Sequence, residues 1–156
     1  MEVPLVTLPA HVQMANLVAR YAEAMDLGDF DAVAGLFADG VVTSEGSDRS
    51  FSGRDEVLRL FTAWTRRYSD DGTPHTKHLT TNLILGIDDE AGTASARSCY
   101  CVLQAVSPDF PLQPVITGRY HDTFVRDGEN WHFASRHMFT DQVGSLGHHL
   151  LTGLDP

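Results

Sequence analysis

The sequence predicts an α+β domain in which helices come first and an antiparallel sheet follows. Three observations carry this expectation. Apolar residues recur at three- and four-residue spacing as far as Tyr68, they alternate at period two over long stretches from His78 onward, and turn residues such as Asp127-Gly128 divide that second part into hairpins. At 156 residues the chain fits one domain, 1–156, with 141–156 as a C-terminal tail, and no Pro/Ser-rich linker divides it.

Taken in order, Val12, Ala15, Leu17, Val18, Tyr21, Ala22 and Met25 form the apolar face of a first helix starting between Thr7 and Pro9. Gly28 terminates it, and Asp29 caps a short second helix through Phe37. Asp26 thus falls at a helix C-terminus, where the macrodipole disfavours a carboxylate, so this acid needs another reason to be there. Asp39-Gly40 turns into a short hairpin, Val41 to Phe51. Ser52 is placed to cap a third helix, Gly53 to about Tyr68, with Asp55 and Glu56 in its first turn and Arg66 and Arg67 in its last. Ser69 to Pro74 reads as a loop.

Four long strands then follow: the one containing His78, Thr93 to Val106, Pro114 to Arg126 and Trp131 to Thr140. Strands of this length must twist and curve. The tail from Val143 to Leu151 is apolar with glycine hinges, fit to cap a pocket, cross to a neighbouring subunit, or fray.

Composition excludes several functions. Apolar residues at 42% and charged residues at 21% are ordinary for a globular chain. A net charge of −10 with only 11 scattered Lys and Arg argues against nucleic acid. No apolar run approaches the ~20 residues of a membrane span, and the N-terminus does not read as a secretory signal, so the expected location is cytoplasmic. Cys99 and Cys101 sit two residues apart on one side of a strand, poor geometry for a bridge and suited to reduced thiols. The eight histidines do not show paired zinc spacing, and phosphate-binding glycine motifs and a Gly-x-Ser-x-Gly are absent, so neither metal nor cofactor is expected.

The candidate site begins at His78-Leu79-Thr80-Thr81-Asn82-Leu83-Ile84-Leu85. On a regular strand His78, Thr80, Asn82 and Ile84 share a face, and a histidine, a hydroxyl and an amide on a mostly apolar wall suit a small-molecule pocket. Taken alone, the same pattern fits a core histidine with satisfied hydrogen bonds.

Five motifs in order, Tyr21-Ala22-Glu23-Ala24-Met25-Asp26-x-Gly-Asp, Leu36-Phe37-Ala38-Asp39-Gly40, His78-x-x-x-Asn82, Gly118-Arg119-Tyr120-x-Asp122 and Trp131-x-Phe133-x-x-Arg136, resemble the SnoaL-like branch of the nuclear transport factor 2 (NTF2-like) superfamily over residues 10–140. The resemblance implies a cone-shaped curved antiparallel sheet wrapped by three helices, with a pocket inside. It also implies that Asp26 and His78 match the Asp–His pair of scytalone dehydratase and hexachlorocyclohexane dehydrochlorinase, which abstract a proton beside a leaving group. Arg136 stands where the dehydrochlorinase pattern has an arginine, whereas Tyr21 replaces its lysine, a departure from the halide-abstracting pattern that places a phenol able to orient an oxygen-bearing substrate.

The chemistry expected is proton abstraction by His78, oriented by Asp26, with Tyr21, Asn82 or Arg136 holding an oxyanion. Tyr100, Arg119 and Tyr120 are further pocket candidates, although tyrosines more often pack a core and Arg136 could serve only a structural ion pair. This would make the chain a cofactor-independent lyase or isomerase (dehydratase, cyclase or dehydrohalogenase type) acting on a small apolar or cyclic substrate, as a homo-oligomer, dimer or trimer. The alternative within the same superfamily is a non-catalytic binding or accessory subunit, as in the small subunit of ring-hydroxylating dioxygenases.

Overall fold

The computed structural model describes residues 7–154. Helix α1 (Ala10–Leu27) buries Met14, Val18, Tyr21 and Met25, one stripe at helical spacing, against the sheet. It ends at Gly28, whose left-handed φ of 69° lets its N–H return to the carbonyls of Ala24 and Met25. A Cβ there would come within 2.5 Å of the Gly72 carbonyl oxygen, so glycine is required twice over. Helix α2 (Phe30–Leu36) is capped by Asp29, which accepts from the Ala32 N–H.

Strands β1 (Val41–Ser44) and β2 (Ser50–Ser52) form the short hairpin, and α3 (Gly53–Trp64) follows. The expected Ser52 side-chain cap is not made. Glu56 reaches back instead, and its Oε2 accepts the Ser52 N–H at 2.7 Å. Helix α3 also stops four residues short of Tyr68, because Thr65 takes an extended conformation and pairs with Leu150 of the tail. That pairing comes from the far end of the chain, beyond the reach of local periodicity.

The long strands are β3 (Thr76–Asp88), β4 (Thr93–Val106), β5 (Phe110–Asp127) and β6 (Asn130–Val143). Together with the hairpin they make one six-stranded sheet in the order β2-β1-β6-β5-β4-β3. The α+β architecture with three helices in the first half of the chain is as expected, with one correction. The sheet is mixed, since β1 runs parallel to β6, pairing Val41 with Ser135 and Val42 with Arg136. The chain reaches β1 from the helical layer, so no hairpin obliges β1 to oppose β6.

Register shifts within β3, β4, β5 and β6 bend the sheet around the helices. The core lies between the two layers, where Phe37 stacks on Phe133 at 4.8 Å and Phe124 packs on the same ring at 4.9 Å. No helix among the described residues is long and apolar enough to cross a membrane.

Candidate active site

The site is built where the end of α1 meets the free edge of β3. Because β3 pairs only with β4 among the described residues, the outward N–H of His78 has no strand partner there, and Asp26 supplies one. The Asp26 carboxylate accepts from the His78 backbone N–H at 2.9 Å, from Thr76 Oγ1 at 2.9 Å and from His78 Nδ1 at 2.6 Å. These donors are the reason for an acid at a helix C-terminus. Burial works to raise the Asp26 pKa, and the hydrogen bonds and electrostatic attraction of His78, with the hydrogen bond from Thr76, together outweigh it, so the carboxyl titrates below its ordinary value. An ionised carboxylate only accepts, so His78 Nδ1 carries a proton, and in the neutral ring Nε2 is the lone-pair acceptor. No partner of Nε2 is found among the described residues, and His78 lines the cavity inside the cone.

That cavity measures about 50 Å³. Tyr21, Tyr100 and Tyr120 stand in its wall together with the flexible thioethers of Met25 and Met138. Tyr100 lies flat on Tyr120, ring centres 4.4 Å apart, and its hydroxyl donates to the Phe139 carbonyl at 2.9 Å. The ring can cross β5 only because the residue beneath it is Gly118, where a Cβ would strike both the Tyr100 ring and the Phe139 carbonyl. Burial pushes the Tyr21 hydroxyl up to about 12, against the pull of Arg136, and raises Tyr100 and Tyr120 as well, so all three phenols are neutral donors at physiological pH.

Three residues expected at the site lie elsewhere. Arg136 is fully buried and committed to Asp122 by a bidentate pair, Nε to Oδ1 and Nη2 to Oδ2, both 2.8 Å. Its guanidinium is sandwiched between Tyr21 and Tyr120, 4.2 and 3.9 Å from the ring centres, so it supports two wall tyrosines from behind rather than lining the cavity. Burial opposes the Arg136 charge and the Asp122 carboxylate more than restores it, leaving the pKa raised. Asn82 is exposed: β3 bulges between Thr81 and Ile84, Asn82 takes a left-handed φ of 56°, and the inward face passes from Thr80 to Leu83. Ile84 is turned outward by the same bulge. Arg119 lies on the outer face of β5, where its Nε donates to both oxygens of Asp141 at 3.0 Å.

Two residues at the site went unnoticed in the sequence. Thr76 lies two positions before His78 on the same face of β3, a spacing that could have flagged it. His149 is buried in the cavity wall, its ring centre 6.4 Å from that of His78. Of the roles open to the tail, capping the cavity is the one seen.

A group able to offer three ligand atoms to a cation, Asp70, Asp71 and His75, lies after α3 and outside the cavity wall. Its members already bond one another, His75 Nε2 to Asp70 Oδ1 at 2.9 Å and to Asp71 Oδ1 at 3.3 Å. Cys99 and Cys101 are free, half-buried thiols.

A sequence model of the SnoaL-like domain matches residues 6–137, most of the chain. The chain belongs to the SnoaL-like family. Solved structures agree on the fold. An NTF2-like protein with a cystatin-like fold from Novosphingobium aromaticivorans is 21% identical, with 83% of this chain and 80% of that one covered at a TM-score of 0.68. A candidate scytalone dehydratase from the same species is 21% identical over 86% of this chain and 85% of that one, TM-score 0.66. LinA is 19% identical over 94% and 92%, TM-score 0.67. At these identities the likeness is one of architecture. No curated protein matches the chain. Within the SnoaL-like fold, the expected α+β cone with its internal hollow is therefore what the chain adopts.

Proposed function

We propose that this SnoaL-like protein is a cofactor-independent lyase or isomerase in which His78 removes a proton from carbon on an uncharged, ring-bearing small molecule. The observation that carries the reading is the 2.6 Å contact between Asp26 Oδ1 and His78 Nδ1 at the edge of an apolar hollow. The carboxylate selects the tautomer with a basic Nε2 and stabilises the imidazolium formed when that nitrogen takes a proton. Tyrosine rings on the wall favour a flat, apolar substrate body.

A cavity of about 50 Å³ admits a few waters and not a ring. Met25 and Met138 supply the adjustment, because unbranched thioether side chains change rotamer at little cost. Among the neighbours in fold, the candidate scytalone dehydratase and LinA are consistent with a proton-abstracting site and do not decide the substrate.

The test is exchange of the α-protons of 2-tetralone for deuterium, followed by proton NMR. The wild-type chain should accelerate exchange, and H78A should lose about 10²–10⁴-fold while keeping the fold. An H78A chain as fast as wild type would refute the reading.

A second reading, a binding or accessory subunit, draws on Leu79, Ile84 and Ile87, which expose 48%, 57% and 39% of their surface along the free edge strand β3. It requires a stable protein partner and no exchange activity.

A further inference from the structure

His149 is held as a site residue is held. Its backbone carbonyl accepts from the Arg66 N–H at 2.9 Å, and the preceding carbonyl, of His148, accepts from Tyr68 Oη at 2.7 Å and Gln104 Nε2 at 2.9 Å. Leu150 bridges Thr65, and the Leu151 N–H donates to the Trp64 carbonyl at 2.9 Å. These contacts fix the main chain and leave the imidazole uncommitted. The residue is 6% exposed in the cavity wall, yet Nδ1 is buried with no hydrogen-bond partner among the described residues. Such an orphan calls for a partner from outside the chain.

Two other polar groups nearby are engaged. Tyr100 donates to Phe139 and Arg136 is taken by Asp122. Beside the Tyr21 and Tyr120 hydroxyls, the cavity wall then offers an acceptor at His78 Nε2 and an imidazole at His149 whose Nδ1 has no partner among the described residues. The ring centres stand 6.4 Å apart, edge to face, with no hydrogen bond between them. An acceptor and a donor facing one small space match a C–H bond beside a carbonyl.

We propose that His149 is a second catalytic residue, a neutral N–H donor to the substrate's carbonyl oxygen, and that the substrates are therefore small uncharged ketones or related carbonyl compounds with an acidic adjacent C–H. The inference rests on the Asp26–His78 reading above. In the step it describes, His78 Nε2 takes the proton, the C–H bonding pair becomes the new C=C bond, and the C=O π pair moves onto oxygen. The resulting enolate oxygen is hydrogen-bonded by His149, and no co-reactant is consumed. Burial, reinforced by the neighbouring His78, lowers the His149 pKa to about 4, which keeps this ring a neutral donor and avoids a second cation beside the imidazolium that His78 becomes.

The experiment compares wild type, H78A, H149F, H149L and H149N for deuterium exchange into 2-tetralone, and for affinity toward 2-naphthol as an enol mimic. Loss of the donor in H149F and H149L should lower the limiting exchange rate about 10²–10³-fold and weaken 2-naphthol at least about tenfold. H149N, whose amide can donate, should recover most of the rate, which a filler of space would not do. Wild-type exchange in both donor-less variants, with H78A inactive, would remove His149 and leave the base intact. A wild-type chain no faster than H78A would remove both. Should H149F fold poorly, H149L and H149N carry the same comparison.

Discussion

Asp26 grips His78 twice, through the backbone N–H and through Nδ1, so one carboxylate sets both the position of the residue and the tautomer of its ring. The D26N substitution separates these effects. The amide oxygen can still accept the backbone N–H, but an NH2 facing Nδ1 turns the proton to Nε2 and removes the base. We expect D26N to fold and to lose about 10²–10⁴-fold in 2-tetralone exchange. A ring proton on Nε2, seen by nitrogen NMR, would confirm the cause.

Thr76 should matter through Asp26 alone. In T76V one hydrogen bond to the carboxylate is lost, at a cost of about 1.5–3 kcal/mol for a charged acceptor. The sign for pH follows from the direction of the shift. The folded-state pKa of Asp26 lies below its unfolded value, so its stabilisation is present above the unfolded value and is lost as pH falls through the folded one. T76V raises the folded value toward the ordinary carboxylate range and should move acid unfolding to higher pH. Circular dichroism across an acid titration would register this, and an unmoved midpoint would count against the bond.

The Arg136–Asp122 pair has no exposed side-chain surface on either partner. Removing one charge strands the other, so R136M and D122N should each cost about 3–5 kcal/mol. Replacing both with apolar residues should recover much of that loss, because the buried charges leave together. Urea unfolding of the two single variants and the double variant closes the cycle. Additive losses would show that the pair is not the unit inferred here.

What was legible in the sequence was whatever lies within one element. The stripe from Val18 to Met25, the Asp29 cap and the long alternating strands read directly, and the family motifs brought Asp26 and His78 together. What was not legible was set by contacts remote in sequence. The bulge at Thr81 moved Asn82 out of the cavity and Ile84 with it, since one extra residue inverts every later side chain. The identity of Arg136's partner depended on the β5–β6 register, which sets Asp122 opposite it. The end of α3 and the burial of His149 are one event, the pairing of Thr65 with the tail, and neither segment announces it alone.

That buried imidazole has a thermodynamic signature independent of catalysis. The His149 pKa falls from an ordinary 6.5 to about 4, chiefly by burial and then by His78, with Asp26 pulling the other way. A histidine with a lowered folded-state pKa binds its proton more readily when unfolded, so stability falls as pH drops below 6.5 and levels off once the folded ring is protonated near 4. The full loss is about 3 kcal/mol at roughly 1.4 kcal/mol per pH unit. H149F cannot take up that proton and should lack this loss. His78 and Asp26, the titratable groups facing the ring, remain in both chains, so the difference between the two stability curves belongs to position 149. Guanidinium unfolding at intervals from pH 7 to 4 would show the curves diverging; parallel curves would mean that the imidazole is hydrated or hydrogen-bonded in solution, and that its nitrogen is not held in reserve for a ligand.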